Sequence, residues 1–77
     1  MNWRDAVRLA IARRCRVTKS DIFSRESLVQ KELSRIIADT ESKGKTPEQT
    51  LSKTLQQLRD DGEIEFTDNN GTYCKLF

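Results

Sequence analysis

No histidine occurs in these 77 residues, and cysteine appears only as Cys15 and Cys74. A Ser–His or Cys–His nucleophile is therefore excluded, and two thiols fall short of the four nitrogen or sulfur ligands of a structural zinc site. The cysteines read as reduced, small and mostly apolar, because nothing in the chain points to the oxidising compartment that a disulfide needs. Also missing is any apolar run approaching the ~20 residues of a membrane span. Met1 leads straight into a charged amphipathic segment rather than a signal peptide, so a cytoplasmic protein without membrane contact is expected. No repeat, low-complexity tract or second domain is visible, and a single domain over residues 1–77 follows.

Apolar residues make up 35% of the chain and charged residues 34%, which fits a small globular domain with an ionic surface rather than a disordered tail. The net charge of +2 conceals an asymmetry. Residues 1–19 hold Arg4, Arg8, Arg13, Arg14, Arg16 and Lys19 against Asp5 alone, whereas the remainder holds eight bases against 11 acids. One end of the domain is basic, either as a solvated face or as a surface for phosphates or an acidic partner.

The most informative stretch is Thr46 to Gly62, which marks both of its own ends. Thr46 is a cap residue, Pro47 suits the first helical position, and Gln49 completes a capping box. Gly62 suits the left-handed stop beyond the last turn. At about 100° per residue, Leu51, Leu55 and Leu58 form one stripe, and Gln49, Lys53 and Gln56 form the opposite one. Leucines anchor this helix, over about residues 47–61, and amides, hydroxyls and a lysine face outward. Those side chains read base edges and phosphates in a major groove.

Upstream, Trp3, Ala6, Val7, Ala10 and Ile11 define a first helix from Asn2, its cap, to about Cys15. Val17 to Phe23 reads as a connector. Ser24 caps a second helix that carries Leu28, Val29, Leu33, Ile36 and Ile37 up to about Asp39. Arg25 in its first turn runs against the dipole preference and marks a phosphate site. Thr40 to Lys45 is an exposed loop whose Lys43 and Lys45 would flank a duplex entered by the third helix.

After Gly62 the period changes to two, with Glu63 to Thr67 as a strand, Asp68 to Gly71 as a turn, and Thr72 to Phe77 as a returning strand whose faces are not assignable. Mainly α with a small β-hairpin, three helices followed by a two-stranded wing, is the winged helix-turn-helix order.

Three patterns imitate catalysis. Gly44-Lys45-Thr46 matches the end of a P-loop, but Asp39 stands where the motif needs glycine. Glu41-Ser42-Lys43 matches a fragment of metal-dependent nucleases but lies in a loop after a helix. Glu63 and Glu65 share a strand face but read as the wet side of the hairpin. No catalytic apparatus, cofactor or metal site is expected in this chain.

The run Thr46-Pro47-Glu48-Gln49-Thr50-Leu51-Ser52, continuing through Leu55-Gln56, Leu58-Arg59-Asp60 and Gly62 to Ile64, Phe66, Gly71 and Tyr73, resembles the C-terminal winged-helix domain of DpnI-type restriction endonucleases and Dam-replacing proteins. Trp3, Val7 and Phe23-Ser24-Arg25 look similar too. The resemblance implies a DNA-recognition module, attached in that family to a metal-dependent nuclease that cuts adenine-methylated sites. No nuclease domain is present here, which leaves an excised domain or a free-standing relative, so only the DNA-facing role carries over, to Thr46, Gln49, Thr50, Ser52, Lys53 and Gln56.

Double-stranded DNA is thus the expected partner, met by Arg25, Lys43, Lys45, Thr46, Gln49, Thr50, Ser52, Lys53 and Gln56. So small a footprint calls for a tethered nuclease domain or a second protomer. The alternative is a winged helix that docks another protein through its first helix or hairpin edge, favoured by the acids Asp60, Asp61, Glu63 and Glu65. These acids would confine a duplex to the N-terminal half of the third helix.

Overall fold

The computed structural model describes residues 1–67 and 71–77. Asn2 caps helix α1 (Trp3–Thr18), its Oδ1 accepting the Asp5 N–H at 2.8 Å, and Ala6, Val7, Ala10, Ile11 and Cys15 line the buried side. The helix runs a turn further than its apolar period, which falls silent after Cys15. Hydrogen bonding continues it without core contacts. The Thr18 hydroxyl donates to the Arg14 carbonyl, and Lys19, left-handed at φ 55°, closes the end by donating to the Arg16 carbonyl.

The expected connector holds a strand, β1 (Ile22–Ser24). Only Phe23 of its three residues points inward, too short a pattern for periodicity, and its partners lie about fifty residues later.

The expected second helix is two helices, α2 (Arg25–Lys31) and α3 (Leu33–Thr40), broken at Glu32 with φ −122°. On one straight helix Leu28 and Leu33 would lie about 140° apart, so both could not face one core. The break turns both inward, together with Ile36. It also directs Glu32 beneath α1, where its Oε1 accepts from Arg13 Nε at 2.7 Å. Ser24 caps α2 as expected, accepting the Ser27 N–H at 3.1 Å.

Helix α4 (Pro47–Asp60) buries Leu51, Leu55 and Leu58 completely. Thr46 precedes it but makes no side-chain cap bond. Its ψ of 63° departs from extended cap geometry, so the expected capping box does not form. Pro47 and Glu48 serve the N-terminus instead, one by its fixed φ and the other by charge against the dipole. Thr54, unremarked in the sequence, is buried, and its hydroxyl is satisfied by the Thr50 carbonyl at 2.8 Å. Gly62 takes φ 77° beyond the last turn, where its N–H donates to the Arg59 carbonyl.

Strands β2 (Ile64–Phe66) and β3 (Thr72–Lys75) pair antiparallel, and β1 adds to the other side of β3, giving a three-stranded sheet of order β1-β3-β2. Asp68, Asn69 and Asn70, the first three residues of the expected turn, lie outside the described residues; Gly71 has φ 76°. Phe23, Tyr73 and Phe66 are opposed in register and form a stacked row across all three strands, with ring centroids 5.4 and 4.8 Å apart. The described residues therefore form a mostly helical domain, with four helices against a small antiparallel sheet. None of these helices is long and apolar enough to cross a membrane.

Candidate nucleic-acid interface

The outer face of α4 is open. Gln49, Lys53 and Gln56 are exposed, as the leucine spacing requires, and neither the hairpin strands nor another helix covers them. Thr50 is half-buried and spends its hydroxyl locally, donating to the Thr46 carbonyl at 3.3 Å. Lys43 and Lys45 are exposed in the loop before α4. Lys45, Thr46 and Gln49 line one shallow depression of about 430 Å³ with Leu33, Pro47 and the carboxylate of Glu48, so the loop and the start of α4 meet at a mixed surface.

Arg25 does not stand free at the start of α2. Its Nε donates to Ser52 Oγ at 2.7 Å and its Nη2 to the Glu48 carbonyl at 3.3 Å, so the side chain crosses to α4 and clamps it. The pair belongs to one place, but its first duty is to orient α4. Two bonds leave further N–H groups of Arg25 unused, since a guanidinium carries five.

Three of the six bases of the N-terminal segment are engaged within the fold. Arg4 pairs with Asp61 and Glu63, Arg8 Nε lies 2.9 Å from Glu63 Oε1, and Arg13 binds Glu32. Hydrogen bonds to Asp61 and then Glu63 push the Arg4 guanidinium further toward its charged form. Two of the four acids expected to repel a duplex at the end of α4 are thus matched by α1. On the helical wheel Asp61 stands about 160° from Arg59, away from the polar face.

Arg59 belongs to the run that carries the resemblance but lies outside the expected DNA-facing set. Its spacing was the available signal: three residues after Gln56 and seven after Ser52, it falls on the same face. Its guanidinium lies over the Phe66 ring, 4.9 Å from the centroid. Ser52, Gln56, Arg59, Phe66 and Tyr73 together line a cleft of about 220 Å³ between α4 and the hairpin. Phe66 is 46% exposed there, although alternation in the sequence placed it with buried Ile64.

Among the described residues no cluster of three or more metal-ligating side chains occurs. Cys15 is buried, and burial pushes its thiol pKa up. Comparison with protein-family models, with curated proteins and with solved structures finds no match.

Proposed function

We propose that the protein binds double-stranded DNA as a winged-helix module, with α4 entering the major groove and the β2–β3 hairpin as the wing. The observation that carries this reading is the uncovered polar face of α4, Gln49, Lys53 and Gln56 outward above a fully buried leucine stripe. Glutamine amides suit adenine edges, and Lys53, Lys43 and Lys45 suit flanking phosphates. The element order supports the same reading, because β1 joins the hairpin into one sheet beside α4. The resemblance to DpnI-type recognition domains adds that such a module would direct a tethered nuclease domain. A second protomer would widen its small footprint in the same way.

The test is an NMR titration with short duplexes at low salt, one methylated at adenine and one not. Amide shifts concentrated in residues 43–56 and at Arg25, weakened by added salt, support the proposal. Scattered or salt-insensitive shifts overturn it.

A protein-docking reading rests on a different surface, where Leu9 and Phe77 are exposed beside each other across a depression of about 350 Å³. Shifts confined to that patch on adding a protein partner would favour it.

A further inference from the structure

The cleft between α4 and the hairpin has a composition that the open face of α4 does not explain. Its described lining contains a guanidinium, an amide, two hydroxyls and two aromatic rings, and no carboxylate. The Arg59 guanidinium carbon lies 4.9 Å from the Phe66 ring centroid, and the side chain stays 39% exposed, so N–H groups remain accessible to solvent. Asp60 approaches Arg59 only to 3.7 Å, and its own side chain is 63% exposed, so the pair is a weak surface contact. Ser52 accepts from Arg25, which leaves its own hydroxyl hydrogen to donate. Phe66 is stacked on Tyr73, and Tyr73 on Phe23, so the ring beneath Arg59 is fixed by the whole sheet.

We infer that this cleft receives a backbone phosphodiester of the duplex, with Arg59 donating to its oxygens and Phe66 supporting both the guanidinium and the neighbouring deoxyribose. The inference rests on α4 meeting DNA. It extends the contact past the N-terminal half of that helix and makes the hairpin a participant through an aromatic residue rather than through charge. A preoriented guanidinium suits this task, because little side-chain freedom remains to be lost on binding.

The experiment is a scan of single neutral methylphosphonate substitutions along each strand of a bound duplex, read by fluorescence anisotropy for the unaltered protein and for Arg59→Gln. The unaltered protein should lose roughly fivefold in affinity at one wing-side position, and Arg59→Gln should be indifferent there while keeping its sensitivity elsewhere. Arg59→Gln should also lower the slope of log affinity against log salt by about 0.9, whereas Phe66→Leu should weaken binding with the slope unchanged. Circular dichroism melts identify any variant that fails to fold, and the exposed Arg59→Gln carries the test alone if Phe66→Leu does. If the protein binds duplexes but Arg59→Gln changes neither the scan nor the slope, this inference falls and the α4 reading stands. If the unaltered protein binds no duplex, both fall.

Discussion

Arg25 reaches across from the first turn of α2 to donate to Ser52 Oγ in the middle of α4, at 2.7 Å, with a second bond to the Glu48 carbonyl. A residue that reads in the sequence as an isolated cation at a helix start is the side chain that sets the pose of the polar helix.

Arg25→Ala should therefore cost about 1–2 kcal/mol, since a charged donor leaves two acceptors. Ser52→Ala should cost less. In urea melts of both single variants and the double, the pair should show a coupling near 1 kcal/mol. Additive effects would mean that the contact contributes nothing to the pose of α4.

Leu55 and Gln56 are neighbours with opposite environments, one fully buried and one exposed. Leu55→Ala should destabilise the fold by about 2–5 kcal/mol, and Gln56→Ala should stay within about 0.5 kcal/mol. Thermal melts distinguish the two, and a large cost at Gln56 would place that residue in the interior.

On DNA the roles divide differently. Lys53→Ala should weaken all duplexes about equally and make the salt slope, about −4 to −5 in the unaltered protein if about five phosphates are neutralised, less negative by about one. Gln49→Ala should blur the preference between sequences at little cost in salt slope. Competition binding against altered duplexes measures both, and an unchanged preference in Gln49→Ala removes that residue from the reading face.

The Cys15 thiol is buried and Cys74 is partly exposed. Iodoacetamide should label Cys74 first and Cys15 only on unfolding, as mass spectrometry would show. Burial raises the folded pKa of Cys15 above its ordinary value near 9.0. The unfolded chain then gives up this proton first as pH rises, so stability present below pH 9 should decline above it. The decline should be shallower in Cys15→Ala.

The amphipathic helices were legible where apolar spacing reported their buried faces, as with Leu51, Leu55 and Leu58 or Ala6 to Ile11. Three features were hidden for separate reasons. The break at Glu32 answers a tertiary demand to turn Leu28 and Leu33 to one core. Strand β1 exists through a partner far along the chain. The cap at Thr46 failed because a cap-type residue does not guarantee a cap-type ψ. At the interface, exposure of Gln49, Lys53 and Gln56 followed from spacing. The Arg25–Ser52 contact and the Arg59–Phe66 cation–π contact join elements whose meeting only the folded chain reveals.

The aromatic row has a consequence for how the molecule is made. Phe23 faces Tyr73, so the sheet cannot close during synthesis until the ribosome has released the segment through Lys75. The helices gain their leucine contacts earlier, and the ring under Arg59 is among the last pieces seated. A nascent chain stalled before Thr72 would hold its polar helix against a half-built wall, with Phe23 still wet.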